Sequence, residues 1–317
     1  MNRLSVFALL IFIVLNSNVK ASDKVTLSVA TFDTAFLTAG VGRQRNFFRD
    51  EGLDVQILRA RRDVNISALV NGELDYTMLL SSVVAASLRG MPLKVVAVFL
   101  NSSTHLLLAN KEFRKVEELK GKKVGVSSPG VGAYETAKKI LRHFGINPEK
   151  DVEFIFLGSE EARFISLQKG MIDGAILSPP ADFEGKKFGM NVLARAHEIF
   201  ETPFTGLSVT SRKISEKPNE VKRMIKAMIR SNLSIRNDRL GTIKIIERWT
   251  GVGHETAAAT YDSTGDIFSK NGDIPKLGFI ELATSLGTAL AIKKMVNPLD
   301  LLDVSPQLEA KRELGIK

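Results

Sequence analysis

The residues best suited to hold a ligand form the turn Ser127-Ser128-Pro129-Gly130-Val131-Gly132, between a predicted strand and a predicted helix. Such a turn directs two hydroxyl groups and several backbone N–H groups outward at the favourable end of the helix dipole. This chemistry suits a carboxylate, a sulfonate or a similar anion, although an ordinary capped turn has the same residues. A dinucleotide fingerprint requires G-x-G-x-x-G, whereas this segment has G-x-G followed by Tyr134, so that class of site is rejected.

Six other loops follow predicted strands and share this small, polar composition. In open parallel sheets, ligands bind outside the carboxyl ends of the strands, so we expect all these loops to line one cleft. The six loops span residues 31–35, 80–83, 101–104, 158–161, 178–182 and 202–206. The residues predicted to contact the ligand are Phe32, Asp33, Thr34, Leu80, Ser81, Ser82, Ser102, Ser127, Ser128, Gly130, Gly132, Ala133, Ser178, Pro179, Pro180 and Thr205.

The charges of these loops bear on the class of ligand. The loops contain Asp33, Glu160, Glu161 and Asp182 but no Lys or Arg, the residue that usually pairs with a ligand carboxylate. We therefore expect a small polar ligand held by hydroxyls and amides. A cationic or zwitterionic heteroaromatic stacked on Phe32 and a sulfonate both stay open. Two other readings also remain: an arginine of the 59–62 cluster could reach the cleft, and the acids could be exposed helix caps.

Two of these loops end copies of a repeated sequence segment. Leu69–Ser82, LVNGELDYTMLLSS, recurs as Leu167–Pro180, LQKGMIDGAILSPP. Both copies predict the end of a helix, a glycine stop, a short apolar strand and a turn. Asp75 and Asp173 begin their strands, and strand starts lie on the sheet edge away from the cleft. We therefore expect these aspartates to be structural.

The repeat extends to whole lobes, which fixes the predicted fold class as α/β. Each half follows the order βαβαβ with short connections, which predicts two lobes with mostly parallel sheets. The polar residues 101–104 interrupt an apolar strand, and residues 202–206 precede another strand, so both segments are predicted hinge crossings. The remainder is predicted to be helical, with Trp249 on a packing face. The predicted lobes are 22–102 with 206–317, and 103–205.

The N-terminus and the composition indicate export. Arg3 precedes an apolar run at Leu4–Leu15, and Val19 and Ala21 suit a cleavage site, so residues 1–21 read as a cleaved signal peptide. A retained anchor is the alternative. The sequence has no cysteine, which excludes disulfides, thiolate metal sites, a cysteine nucleophile and lipid attachment through an N-terminal cysteine. We expect a protein free in a bacterial periplasm.

The remaining composition argues against other classes of function. The net charge of +9 is scattered along predicted helices, without the basic and aromatic stripe of a nucleic-acid-binding protein. The four histidines lack metal-ligand spacing, and no catalytic triad or carboxylate pair is recognisable. The sequence therefore predicts a binding protein rather than an enzyme, with no metal and no cofactor.

Several segments resemble one family of transport proteins. Asn46–Val55, NFFRDEGLDV, resembles the GFFKEEGLDV signature of nitrate/sulfonate/taurine-type solute-binding proteins of ABC transporters, a group that includes thiamine-precursor-like members. Further similar segments follow in the family's order: LVNGELD, GMPLKVV, VEELKGKKVGV, LQKGMID and the C-terminal NPLDLLDVSPQLEAKRELG. The resemblance implies a type II periplasmic-binding fold, a small-molecule ligand, a monomer, and delivery to an ABC permease at the inner membrane.

The chain departs from the family pattern at Val41-Gly42-Arg43-Gln44-Arg45 and at Arg59–Arg62, and both departures concern the ligand class rather than the fold. Two alternatives to transport follow from the same resemblance. One is a ligand sensor for a signalling partner. The other is a pyrimidine-synthase-like enzyme with a lysine-bound pyridoxal cofactor, which resembles this chain in outline but carries a cysteine-rich motif that this sequence lacks.

Overall fold

The computed structural model describes residues 22–128, 132–293 and 296–316, and leaves the side chains of residues 62 and 63 undescribed. The predicted signal peptide (1–21) and the predicted ligand residue Gly130 lie outside the described residues. Among the described residues, no helix combines the length and the apolar composition needed to cross a membrane.

Strands and helices alternate along most of the described chain. The strands are β1 (Asp23–Val29), β2 (Leu53–Arg59), β3 (Tyr76–Thr77), β4 (Leu93–Leu100), β5 (Leu106–Ala109), β6 (Lys123–Val126), β7 (Glu153–Phe156), β8 (Gly174–Leu177), β9 (Asn191–Arg195) and β10 (Thr205–Thr210). The helices between them are α1 (Leu37–Gln44), α2 (Phe47–Asp50), α3 (Arg62–Asn71), α4 (Leu80–Leu88), α5 (Ala133–His143), α6 (Glu160–Gln168), α7 (Ala181–Lys186) and α8 (Ala196–Ile199). The helices after β10 are α9 (Ser211–Glu216), α10 (Pro218–Asn237), α11 (Arg239–Thr250), α12 (His254–Thr264), α13 (Lys276–Ala289) and α14 (Ser305–Glu313).

The strands form two separate five-stranded sheets with the orders β2-β1-β3-β10-β4 and β7-β6-β8-β5-β9. In the first sheet, β1 pairs in parallel with β2 and β3, and β10 runs antiparallel to β3 and β4. In the second sheet, β6 pairs in parallel with β7 and β8, while β5 is antiparallel to β8 and β9. This confirms the predicted two-lobe α/β fold, because each lobe has its own sheet, and in each mixed sheet four of the five strands run in the same direction.

Apolar helix faces cover both sides of each sheet. In the first lobe one core joins the sheet to α1, α10 and α11, and a second core joins it to α4 and α13. In the second lobe, α5 shows the amphipathic pattern clearly: Ala137, Ile140 and Leu141 are buried, while Arg142 and His143 are exposed. The sheets therefore hold the helix N-termini at fixed positions along the carboxyl ends of the strands.

Two local features differ from the prediction. The helix predicted over residues 35–50 is divided, because Asn46 adopts a left-handed conformation (φ 60°) between α1 and α2. Asn tolerates this conformation better than most residues with a side chain. In addition, the sequence pattern did not predict β9, α7 and α8, which extend the second lobe beyond its βαβαβ unit.

The glycine and the aspartate of the repeated sequence segment have the same structural roles in both lobes. Gly72 and Gly170 both adopt left-handed conformations (φ 80° and 67°) at the helix ends. Asp75 Oδ2 accepts a hydrogen bond from the Thr26 backbone N–H at 2.8 Å, and Asp173 Oδ2 accepts one from that of Lys123, also at 2.8 Å. Each aspartate therefore ties the start of the central strand of its sheet, β3 or β8, to the neighbouring parallel strand, β1 or β6, which agrees with the structural role predicted from its position.

The chain passes between the sheets twice, over residues 101–105 and 200–204. The two crossings are joined by hydrogen bonds: Ser102 Oγ donates to the Phe200 carbonyl at 2.8 Å, and the Phe204 N–H donates to the Leu100 carbonyl at 2.9 Å. The predicted lobe boundaries at 102/103 and 205/206 stay predictions, and β10 begins at Thr205.

Candidate functional site

The carboxyl ends of the strands and the N-termini of the following helices face the space between the lobes. On the first lobe, Asp33 lies after β1 and caps the next turn, its Oδ1 accepting from the Ala35 N–H at 2.9 Å. Trp249 Nε1 donates to the Asp33 carbonyl at 2.8 Å, and Phe32 packs edge-on against the Trp249 ring at 4.9 Å. Trp249 is 5% exposed, which agrees with its predicted packing role, whereas Phe32 is 41% exposed and offers a ring face to a ligand.

On the second lobe, the predicted residues Ser178, Pro179 and Pro180 line a concavity of about 290 Å³ together with Glu160 and Glu161. The Ser178 backbone N–H donates to Glu160 Oε1. This hydrogen bond joins the turn after β8 to the first turn of α6. Two of the predicted loops therefore form one continuous acidic wall.

The charge of an acidic residue on the first lobe acts on an acidic residue of the second. Burial raises the pKa of Glu160, and the Ser178 N–H and the positive charge of Arg163 oppose this rise, while the negative charge of Asp33 adds a smaller increase. Because Asp33 belongs to the first lobe and Glu160 to the second, their repulsion acts across the cleft. A cation between them would relieve it.

Sequence reasoning missed Arg163, which lies on α6 rather than in a loop. Arg163 is 4% exposed, and its guanidinium bridges two strand ends, with Nε donating to the Ile176 carbonyl at 2.9 Å and Nη1 to the Gly158 carbonyl at 3.1 Å. Burial lowers its pKa. These two hydrogen bonds join the end of β8 to the loop after β7. The position of Arg163 on α6, three residues after Glu160, was the one signal for it in the sequence.

A second cavity, of about 170 Å³, lies between the lobes beside both crossings. It contains the predicted residues Ser81 and Gly132, at the N-termini of α4 and α5. The rest of its wall is formed by Ser103, His105, Glu135, Thr136, Lys139, Phe200, Thr202, Pro203, Phe204, Glu281, Leu282, Ser285 and Leu286. This volume is below the roughly 300–1,000 Å³ of pockets that hold drug-sized ligands, so it fits a small molecule or one part of it.

His105 is a buried titratable residue in the wall of this cavity. It is 9% exposed, its Nδ1 lies 2.9 Å from Thr136 Oγ1, and its ring packs edge-on against Phe204 at 5.8 Å. Burial lowers its pKa to about 4, and the positive charge of Arg163 acts in the same direction. A neutral imidazole therefore faces the cavity at neutral pH, and Nε2 is the ring nitrogen left to contact a ligand.

Lys139 is a second residue that loop composition did not reveal. Its Nζ donates to Thr202 Oγ1 at 2.8 Å and lies 3.3 Å from Glu281 Oε2, and it sits over the Phe200 ring at 4.9 Å. Because it projects from the second turn of α5, its cationic group reaches the cavity although no predicted loop contains it. The cleft is thus less uniformly acidic than the loops alone indicated.

Several predicted ligand residues are occupied elsewhere. The side chains of Leu80, Thr34 and Ala133 are buried, and Leu80 belongs to an apolar core. Ser102 and Thr205 are buried as well and donate to backbone carbonyls, Thr205 to that of Ala35 at 3.1 Å. These five residues shape the cleft through the backbone rather than through exposed side-chain groups.

The other predicted residues are at least partly accessible. Ser81, Ser128 and Gly132 are exposed, Ser82 is half-buried, and Ser127 Oγ accepts from the Tyr134 N–H at 3.4 Å. Arg59 and Arg61 are exposed at the end of β2 and before α3, and the Arg62 side chain is outside the described part of the chain.

Two concavities are larger than the two described above, and neither has a predicted ligand-binding loop as its main lining. One, of about 590 Å³, lies at the N-terminal end of β1 and is lined by ion-paired residues such as Glu51 and Lys226, whose charged groups are 3.0 Å apart. The other, of about 390 Å³, lies beside the crossings at Asn101, Arg236 and Asp266. Within the described ranges, no group of His, Cys, Asp and Glu side chains could hold a metal ion.

Comparisons with known proteins agree with this architecture. Residues 33–238 match the family model described as NMT1/THI5 like. No curated protein sequence matches. Among solved structures, the chain is similar to a putative periplasmic sulfonate-binding protein SsuA from Methylobacillus flagellatus KT (14% identity, TM-score 0.77, covering 94% of this chain and 97% of that one). It is also similar to the periplasmic aliphatic sulphonate binding protein SsuA from Escherichia coli (14% identity, TM-score 0.75, covering 90% of this chain and 99% of that one). A third similar structure is the periplasmic nitrate-binding protein NrtA from Synechocystis PCC 6803 (12% identity, TM-score 0.68, covering 93% of this chain and 89% of that one).

Proposed function

Because the chain belongs to the NMT1/THI5-like family, we propose that it captures a small polar molecule between its two lobes and delivers it to an ABC permease. The observation that carries this proposal is the cavity beside the crossings, since its wall combines α4 and α13 of the first lobe with α5 of the second. A ligand there contacts both lobes at once, so binding stabilises the arrangement in which the lobes approach each other.

The site composition supports binding rather than catalysis. The cavity is lined by hydroxyls, apolar side chains, a neutral imidazole and three charged side chains, Glu135, Lys139 and Glu281, of which the last two pair with each other. The sequence has no cysteine nucleophile. We therefore propose a binding protein without enzymatic activity, located free in the periplasm after removal of residues 1–21. A sensor for a signalling partner would use the same closure, and a permease and ATPase gene pair beside this gene would favour transport.

The acidic pair across the cleft supports a ligand with positive charge. Asp33 and Glu160 repel each other, and a cationic or zwitterionic group between them removes that repulsion. The exposed ring of Phe32 lies next to Asp33 and can stack on a flat cation. Nitrate and simple sulfonates would instead have to bind through Lys139, Ser127, Ser128 and the N-terminus of α5.

Titration calorimetry with taurine, alkanesulfonates, nitrate and thiamine-type pyrimidines tests the proposal directly. We expect a zwitterion or cation to bind, and Asp33→Asn and Glu160→Gln each to weaken it by roughly tenfold or more, since each removes one charge-assisted contact. Asp54→Asn, an exposed acid on β2, is the matched control and should leave affinity unchanged. Tight binding of a simple dianion alone would overturn the cationic assignment.

Mass spectrometry of ligand retained through purification identifies the solute without a guess about its class. A single small molecule released on denaturation from the protein as isolated is the expected result. Failure to release any small molecule, together with no heat of binding for the whole panel, would contradict the capture role.

A further inference from the structure

Three side chains connect the two lobes beside the crossings. Arg195 is the last residue of β9 and Asp182 lies in the first turn of α7, so both belong to the second lobe. Ser263 lies near the end of α12, a helix whose Ala257 and Tyr261 pack into the core of the first sheet. A contact from Ser263 to the other two therefore spans the space between the lobes.

The contact is a closed triangle of hydrogen bonds. Arg195 Nη2 donates to Asp182 Oδ2 at 2.8 Å, and Ser263 Oγ donates to the same oxygen at 2.9 Å. Arg195 Nη1 also donates to Ser263 Oγ. Two of these three bonds cross between lobes, and both involve a charged partner, which makes them stronger than bonds between neutral groups.

Burial strengthens the electrostatic attraction in this contact, but it also leaves one carboxylate oxygen without a hydrogen bond. The Asp182 side chain is 7% exposed and that of Arg195 is 22% exposed, so solvent screens their attraction less than that of a surface pair. Asp182 Oδ1, however, is buried without a hydrogen-bond partner in the described part of the molecule. Opening of the lobes would let water reach that oxygen, so part of the gain from the triangle is cancelled.

A second polar bridge between the lobes is much more exposed. Lys139 Nζ lies 3.3 Å from Glu281 Oε2, with side chains 32% and 64% exposed. Exposed ion pairs contribute little and are weakened by salt. The triangle of Arg195, Asp182 and Ser263 is therefore the stronger of these two contacts that hold the lobes near each other.

We propose that Arg195, Asp182 and Ser263 form an inter-lobe latch that holds a large fraction of the unliganded protein in a closed arrangement. A ligand that binds the closed arrangement has an apparent affinity that scales with the fraction already closed. The latch therefore sets the free energy that a ligand must supply to complete closure. This consequence for affinity depends on the proposed solute-binding function, but the effect on lobe separation does not.

The test measures lobe separation without any ligand. Because the chain has no cysteine, Asn71→Cys and Lys169→Cys introduce two unique labelling sites at equivalent exposed positions of the repeat, one on each lobe. Spin-label distances are then compared for this double-cysteine protein, after refolding from denaturant to remove any retained solute, and for Ser263→Ala and Ser263→Thr in the same background. Ser263→Ala leaves the Arg195–Asp182 pair intact within its lobe and removes only the cross-lobe bonds.

We expect Ser263→Ala to move the distance distribution to longer values and to lower the ratio of closed to open protein by at least about tenfold, the loss that a charge-assisted hydrogen bond produces. Ser263→Thr keeps the hydroxyl and should restore the distribution of the parent protein. Asp262→Asn is the matched control, because Asp262 lies next to Ser263 on α12 but forms an exposed ion pair with Arg239 of α11 (2.7 and 2.8 Å). This substitution therefore weakens a contact within the first lobe and leaves the contact between the lobes in place.

A distribution that Ser263→Ala leaves unchanged, or shifts to shorter distances, would overturn the latch, provided that its thermal unfolding matches the parent protein. The same result from Asp262→Asn as from Ser263→Ala would also overturn it, because helix destabilisation would then explain the change. A shift without any solute binding would support the latch while the capture function failed, so the two proposals are separable.

Discussion

Replacement of His105 by Gln should change how the stability of the protein responds to acid. In the folded protein, burial lowers the pKa of His105 from its ordinary value of 6.5 to about 4, and the charge of Arg163 contributes. Above pH 6.5 the ring is neutral in both the folded and the unfolded states. Between about pH 6.5 and 4, the unfolded chain binds a proton that the folded protein excludes, so stability falls as the pH falls.

The size of this effect follows from the two pKa values. Each unit of difference corresponds to about 1.4 kcal/mol, so the full effect reaches about 3 kcal/mol at pH 4 and below. His105→Gln lacks the titrating ring and should lose stability less steeply over this range. At neutral pH the variant should be less stable than the wild-type protein, because the ring packs against Phe204 and lies 2.9 Å from Thr136 Oγ1.

Urea unfolding of both proteins at about pH 7.5, 5.5 and 4.5 measures the difference. The measurement at the highest pH gives the cost of the substitution itself, and the change in the difference with pH gives the contribution of the proton. Other titrating groups, including Glu160, are common to both proteins and cancel. Parallel stability curves, or a ring titration by NMR with a midpoint near 6.5, would refute the reasoning.

Three further substitutions test the structural assignments. Asp173→Ala removes the acceptor of the Lys123 N–H and should lower the free energy of unfolding by about 1–3 kcal/mol in urea titrations, whereas an unchanged stability would contradict its role at the strand start. Trp249→Phe removes the donor to the Asp33 carbonyl and should lower stability by about 1 kcal/mol and weaken solute binding in calorimetry. Leu277→Ser, at a residue 79% exposed, should stay within about 0.5 kcal/mol of wild type, and a larger loss would indicate that this side chain packs against another surface.

Local sequence signals determined the fold class. The glycine stops at Gly72 and Gly170, the alternation of short apolar strands with helices, and the polar interruption at residues 101–104 depend on neighbouring residues, and they predicted two similar lobes with two crossings. The same local logic placed Asp75 and Asp173 at strand starts, where both bind a neighbouring backbone N–H. The sequence pattern predicted one continuous helix over residues 35–50, which was wrong at Asn46, because this residue adopts a left-handed conformation that divides the helix.

The tertiary structure decided which side chains share the cleft. His105, Lys139 and Arg163 come from a crossing and from two helices, and only the packing of the sheets brings them beside the predicted turns. Leu80 and Thr205 were chosen from loops predicted to line the cleft, but Leu80 packs into an apolar core at the start of α4 and the Thr205 hydroxyl donates to the Ala35 carbonyl.

The electrostatic influence of Asp33 on Glu160, and the hydrogen bond between Asp182 and Ser263, also required the folded lobes. The chain itself determines the type and order of the elements through short-range periodicity. The interactions between lobes join residues far apart in sequence, so a pattern of neighbouring residues cannot predict which side chains of the two lobes come into contact.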